Sequence, residues 1–213
     1  MHGAPRSPFA VTGALALLAL LGTIPGTALA AVCGDGILDS GETCDDGIQN
    51  GDETGIDCGG ALCGPCLPFI TTWKTDSPGV SCSSCIIIPT EGNGYNYDVD
   101  WENDGIYDDF GVSGDITHDY GSPGTYQVAI RGDFPRIYFN DVIASGTLTS
   151  DARKLRSIDQ WGDIVWVSMN SAFRGCRNLA GQALDVPDLS NVTDMSSMFA
   201  GAWSFNQEIG GWD

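Results

Sequence analysis

The hydrophobic positions of this chain change period along its length. From Phe69 to about Phe139 they form short β-branched and aromatic runs cut by turn residues: Phe69–Trp73, Ile86–Ile88, Tyr95–Trp101, Asp115–Tyr120, Thr125–Arg131 and Arg136–Phe139. Thr125-Tyr-Gln-Val-Ala-Ile alternates as a half-buried strand does, and Ser122-Pro-Gly supplies the turn before it. Such runs at such spacing predict an antiparallel β-sandwich. Beyond residue 140 the period becomes helical. Met169, Ala172, Phe173 and Cys176 stand at i, i+3, i+4 and i+7, and Met195, Met198, Phe199 and Ala202 repeat the pattern 26 residues later. The spacing predicts two short helices with one apolar face each, followed by Leu179 and Phe205 at matching places. Pro187-Asp188 realigns with Trp212-Asp213, so a third repeat opens where the sequence stops, and the expectation is a fragment of a longer repeat array.

The N-terminal pattern is different again. Arg6, the apolar run Ala14–Leu21, a Pro25-Gly26 break and Ala28-Leu29-Ala30 predict an export signal over 1–30, cleaved after Ala30. Eight apolar residues are too few to span a bilayer, and no later stretch reaches 18, so no transmembrane segment is expected in the mature chain. Leu29-Ala30-Ala31-Val32-Cys33 departs from a lipobox at Val32, which argues against lipid on Cys33.

Composition narrows the function. Of 213 residues 42% are apolar, enough to bury a core, and 9 Lys+Arg stand against 28 Asp+Glu for a formal charge of -19. A chain this acidic repels phosphate backbones, so nucleic acid is excluded as a partner. Five of the eight cysteines fall between Cys33 and Cys66. There Cys33-Gly-Asp-Gly-Ile-Leu-Asp-Ser-Gly-Glu-Thr aligns on Cys44-Asp-Asp-Gly-Ile-Gln-Asn-Gly-Asp-Glu-Thr at a period of 11, with little to bury. Order in that acidic stretch must come from cross-links or ions rather than a core.

Residues 33–66 resemble short cysteine-rich repeats of large secreted bacterial surface proteins, through the CGDG and DGIQNGDETG.DCGG patterns. The run Tyr97-Asp-Val-Asp-Trp101, Asp104-Gly105, His118-Asp-Tyr120 and Pro123-Gly-Thr-Tyr126-x-Val128 resembles a PKD-type domain, an immunoglobulin-like sandwich, with Glu102-Asn103 lengthening one turn. Val192–Gln207 with Trp212-Asp213 resembles the repeat of BspA-like leucine-rich-repeat surface proteins. Together these imply a multidomain chain: signal peptide 1–30, acidic disulfide-rich module 31–68, PKD-like antiparallel sandwich 69–140, and the start of an α/β leucine-rich-repeat solenoid over 141–213. The resemblances imply a secreted or cell-surface location and adhesion to a protein or surface glycan. The rival expectation is a set of ancillary modules on a larger extracellular enzyme with its catalytic domain downstream.

Candidate chemistry is sparse. Asp100, Glu102, Asp104 and Asp108 occupy positions 1, 3, 5 and 9 of a calcium loop with Gly105 at position 6, but Gly111 stands where the bidentate Glu belongs. The competing reading is an acidic hairpin turn on Asn103-Asp104-Gly105 that needs no ion. Cys63-x2-Cys66-x15-Cys82-x2-Cys85 has four-thiolate zinc spacing, whereas export favours disulfides among Cys33, Cys44, Cys58, Cys63, Cys66, Cys82 and Cys85. The PKD resemblance implies a loop at Cys82–Cys85, where a local bridge fits. Cys176 matches Ala202 in the repeat and reads as a buried thiol. His118 is the single histidine left after signal removal, and no G-x-S-x-G marks a nucleophile, so the expectation is no catalysis and no certain cofactor.

Overall fold

A computed structural model describes Cys58, residues 65–141 and residues 147–212. The predicted signal and most of the cysteine-rich module, including Cys33, Cys44 and Cys63, lie outside the described residues. Among the described residues eight strands are formed: β1 (Phe69–Lys74), β2 (Cys85–Ile88), β3 (Asn96–Asp100), β4 (Asp109–Val112), β5 (Ile116–Asp119), β6 (Thr125–Asp133), β7 (Leu155–Gln160) and β8 (Ala180–Gly181).

In β1 the order Phe-Ile-Thr-Thr-Trp-Lys alternates buried and half-buried, so Phe69, Thr71 and Trp73 enter the core while Ile70, Thr72 and Lys74 sit nearer solvent. The Trp73 indole N–H donates to Thr71 Oγ1 at 2.9 Å, which satisfies the polar atom that burying a tryptophan brings with it. β1 is central, antiparallel to β6 with Thr71 opposite Val128, and antiparallel to β7 with Thr71 opposite Ile158. β6 continues to β3 and β3 to β4, while β7 takes β8 in parallel, giving the order β4-β3-β6-β1-β7-β8. β2 and β5 form a separate antiparallel pair with Cys85 opposite Asp119. Ile86 and Ile88 of that pair join Tyr97, Val99, Val128 and Ile130 of the large sheet, with Trp101 just after β3, in one buried cluster. Two sheets over a shared core are compatible with the sandwich expectation.

The expected leucine-rich-repeat start is overturned: among the described residues no helix forms, and Met169–Cys176 and Met195–Ala202 are turns. Two features replace the helix. Ser171 and Ser197 adopt φ of 53° and 58°, which interrupts any right-handed helical run. Alternate N–H groups then leave their own segment: Met169 donates to Asp194 O, Ser171 to Ser196 O, Phe173 to Met198 O and Gly175 to Ala200 O. A donor at x meets a carbonyl at x+25, so the peptide unit before x lies over the one before x+26, and the 26-residue side-chain repeat stacks in step. Phe173 and Phe199 are accordingly stacked at 5.5 Å. The N–H groups of Ala172, Arg174 and Cys176 close onto the carbonyls three residues back, as turns do. Helical spacing of the buried positions survives in part: Met169, Ala172, Phe173, Cys176, Met198 and Ala202 are buried, but Met195 is exposed.

Arg136–Phe139, read as a strand, belongs to neither sheet. It forms the layer before the two turns, with Phe139 and Asn140 N–H donating to Ala172 O and Ser171 O and Asp141 N–H to Arg174 O. β7 and β8, drawn from the repeat region, belong to the same sheet as β1, β3, β4 and β6.

Candidate functional site

The acidic turn after β3 closes on itself. Asp100 is buried, and its carboxylate accepts the N–H groups of Glu102, Asp104 and Gly105. Asn103 and Gly105 take positive φ, the backbone shape of a tight turn. Asp104 caps Ile106 N–H, and Asp108 accepts Trp101 N–H. Of the four residues predicted for calcium, the structure brings Asp100, Glu102 and Asp108 within 4.8 Å of one another, while Asp104 is not in that group. The crowding has a price in charge: burial first, then the carboxylates of Asp108, Asp104 and Asp100, raises the Glu102 carboxyl above its ordinary value, against a lowering by His118. The carboxylates of Asp100, Asp104 and Asp108 thus hold the backbone of the turn.

The cysteines divide differently from the zinc spacing. Cys66 is bridged to Cys58, and Cys82 to Cys85, so three of the four zinc-spaced sulfurs are spent in disulfides. Cys176 is a free thiol in the core, its pKa raised by burial and by Asp141. His118 lies flat on Trp101 at 4.6 Å and edge-on to Tyr120 at 4.5 Å, a packed aromatic.

A cluster that sequence reading missed lies under the Cys82–Cys85 loop. Asp151 and Lys154 are both about 1% exposed, with Lys154 Nζ 3.8 Å from Asp151 Oδ1. Asp151 accepts the N–H groups of Val80, Ser81 and Ile87 and the Ser81 hydroxyl. Lys154 donates to the carbonyls of Ser81, Cys82 and Cys85 and to Ser81 Oγ. Burial pulls the Lys154 pKa below the ordinary lysine value, and Asp151 opposes that pull. With its donors spread over three carbonyls and a hydroxyl, the ammonium is a cation clasping a loop rather than a base activating Ser81. The residues are 70 or so apart in sequence and carry no periodic mark, so only their meeting in space reveals them.

Beside this clasp opens a cleft of about 310 Å³, between the end of β2, the 138–140 segment and residues 149–151. Val80, Ile87 and Phe139 give it an apolar wall, Asp115 and Asp151 line it, and among the described residues no Lys or Arg does. Asp115 is exposed and fixed by one oxygen, which accepts both the N–H and the hydroxyl of Thr90 at 2.7 Å. Across the cleft Asn140 donates to Tyr138 Oη at 2.7 Å, and Arg136 covers the Tyr138 ring at 4.1 Å. Volume and mixed lining are those of a site for a side chain or small ligand.

A family described as Mycoplasma protein of unknown function, DUF285, matches residues 148–213. That stretch holds β7, β8 and the two stacked turns, and it supplies Thr149, Ser150 and Asp151 to the cleft. No curated protein and no solved structure matches the chain.

Proposed function

We propose that this chain is an exported, disulfide-braced binding protein whose cleft takes a basic side chain, Lys or Arg, from a protein partner. The observation that carries the reading is the lining of the cleft, an aliphatic and aromatic wall ending in the exposed carboxylate of Asp115, the Asp151 carboxylate being held by its own loop and Lys154. A long cationic side chain has that same division, an apolar stem and a charged tip. The formal charge of -19 adds long-range attraction for such a partner and accelerates encounter. Export rests on the 1–30 pattern and on the disulfides Cys58–Cys66 and Cys82–Cys85, which persist in oxidising compartments. Among the described residues no helix is long and apolar enough to cross a membrane. Binding is preferred to catalysis because Lys154 is taken up by the loop it clasps and His118 is packed against aromatic neighbours.

The test is titration of the chain with short peptides carrying Lys or Arg, alongside the same peptides with the base replaced by norleucine and neutral oligosaccharides. Basic peptides are expected to bind, binding is expected to weaken with salt, and Asp115→Asn to weaken it about tenfold by removing a charge-assisted hydrogen bond. The substitution keeps an oxygen for Thr90, so the loop stays in place. Oligosaccharide binding that Asp115→Asn leaves intact, with no peptide binding, would replace the protein partner with a glycan.

A further inference from the structure

Asp119 lies opposite Cys85 in the β2–β5 pair, and the Sγ atoms of Cys82 and Cys85 and a carboxylate oxygen of Asp119 all fall within 4.8 Å of one another. We propose that the Cys82–Cys85 disulfide covers a latent site for a divalent cation of the zinc class, formed by both sulfurs and the Asp119 carboxylate once the bridge is reduced. Thiolates with a carboxylate suit a borderline-soft ion, and three protein ligands leave a fourth position for water. This donor set differs from the four-cysteine spacing, of which Cys66 is bonded to Cys58.

Two features carry the inference beyond proximity. The first is that the loop has a scaffold independent of the bridge. Asp151 holds Val80, Ser81 and Ile87 N–H, Lys154 holds the carbonyls of Ser81, Cys82 and Cys85, and Cys85 N–H closes a turn onto Cys82 O. Breaking the S–S bond removes none of these, so the two sulfurs stay near Asp119 and need only separate to ligand spacing. The second is that Asp119 is already oriented. Its Oδ1 accepts Ser84 Oγ at 2.6 Å and Gly121 N–H at 2.9 Å, and Ser84 O in turn accepts Tyr120 N–H. A carboxylate that ligates a metal is itself hydrogen-bonded, because the outer bonds orient the oxygen that coordinates.

Access is asymmetric, with Cys82 exposed and Cys85 buried. A small dithiol reductant therefore attacks at Cys82: its thiolate bonds to Cys82 Sγ as the S–S bond breaks, and Cys85 leaves as thiolate and takes up a proton. The second thiol of the reductant then displaces Cys82, which is protonated in turn. The reductant ends as its own cyclic disulfide, two electrons have passed to the protein, and both sulfurs are thiols. Binding of the cation releases those two protons to water.

The test uses the full chain reduced with dithiothreitol without oxygen, freed of reductant and titrated with Cd²⁺, read by its thiolate charge-transfer absorbance. A Cys82→Ser/Cys85→Ser double variant carries every other cysteine, so the difference between the two isolates this site. Reduced wild type is expected to bind one cadmium more than the double variant, and Asp119→Asn to keep that stoichiometry with affinity lowered about tenfold. Equal stoichiometry in wild type and double variant overturns the site. Unchanged affinity in Asp119→Asn removes the carboxylate from it, and loss of amide protection at Ile87 on reduction alone shows that the scaffold depends on the bridge, which overturns the premise of a preformed site.

Discussion

At the scale of single residues, the pair that decides most is Asp151 and Lys154. Taking either charge away leaves the other buried beside partners it can no longer satisfy, a loss of about 3–5 kcal/mol for a buried pair broken on one side. Asp151→Ala is worse placed than most, because three loop N–H groups lose their acceptor at once. Asp151→Ala and Lys154→Met are each expected to lower the denaturation midpoint sharply, and the double variant to lose much less than their sum, a coupling read by a double-mutant cycle. Additive losses would mean that the two act separately. The tyrosines set the alkaline limit. Tyr97 is fully buried with its hydroxyl donating to Gly114 O, Tyr120 donates to Trp101 O, and burial raises both pKa values well above the ordinary 10.0. Below that ordinary value folded and unfolded chains are protonated alike, and the tyrosines add no pH dependence. Above it the unfolded chain sheds phenol protons that the folded chain keeps, so stability falls as pH rises, by about 1.4 kcal/mol per pH unit for Tyr97. Lys154, with a lowered pKa, has the opposite sign between its folded value and 10.5, but it is one group against several tyrosines. Tyr97→Phe is expected to flatten the fall in urea midpoint above pH 10; an unchanged slope would show that the buried phenol is not its source.

At the scale of elements, strands were readable where β-branched and aromatic runs stood between turn residues. The runs starting at Phe69, Ile86, Tyr95, Asp115 and Thr125 lie on β1, β2, β3, β5 and β6. β1 and β5 alternate as a strand with one buried face does, whereas Ile86–Ile88 is a continuous β-branched run and β6 buries Val128, Ala129 and Ile130 in succession, a departure from the alternation expected of Thr125–Ile130. β4 was hidden: Asp-Phe-Gly-Val buries no face, and Phe110 is 66% exposed. β7 was hidden by register shifts against β1, which place Ser157 and Ile158 in adjacent buried positions and destroy the period of two. The repeat misled for a different reason. Apolar residues at i, i+3, i+4 and i+7 identify one buried side, and a turn whose N–H groups reach the next repeat buries the same side as a helix would. What separates them is backbone sign, and serine at 171 and 197 does not announce a positive φ as glycine does. The correction is testable at Ser197, an exposed side chain. In a helix Ser197→Gly costs several tenths of a kcal/mol, whereas relief of a left-handed serine gains about 1 kcal/mol. The turn geometry therefore predicts a higher melting temperature for Ser197→Gly, and a lower one would restore the helix. The candidate site was less legible than the fold: the sequence marked the cysteines and the acidic turn, while Asp115, Asp151 and Lys154 look like any charged residues until the chain brings them together.

At the scale of the whole molecule, the seam between the β-rich part and the repeat part is itself a sheet. β1 has β6 on one side and β7 on the other, so the strand that organises residues 69–133 is the one that anchors 155–160. The buried cluster runs without a break from Phe69 and Tyr97 through Trp161 and Trp166 to Phe173 and Met198. Aromatic contacts carry that continuity: Phe69 meets Trp161 at 5.8 Å and Trp166 at 5.1 Å, and Trp161 meets Phe173 at 5.9 Å. Two parts joined so closely cannot lose one core while keeping the other, since opening the repeat part would bare Phe69 and half of β1. Ile158 sits at the joint, buried in β7 opposite Thr71, with its carbonyl accepting the N–H groups of Gln182 and Ala183. Ile158→Ala is expected to cost about 2–5 kcal/mol as a core truncation. The informative quantity is where that cost appears. In a cooperative unit, hydrogen exchange at Val99 and Ile130 in β3 and β6 and at Phe173 in the stacked turns should quicken by the same free energy, because all three open only through global unfolding. Faster exchange at Phe173 with Val99 and Ile130 unmoved would show instead that the turns come away alone and that the shared sheet joins two independently stable parts.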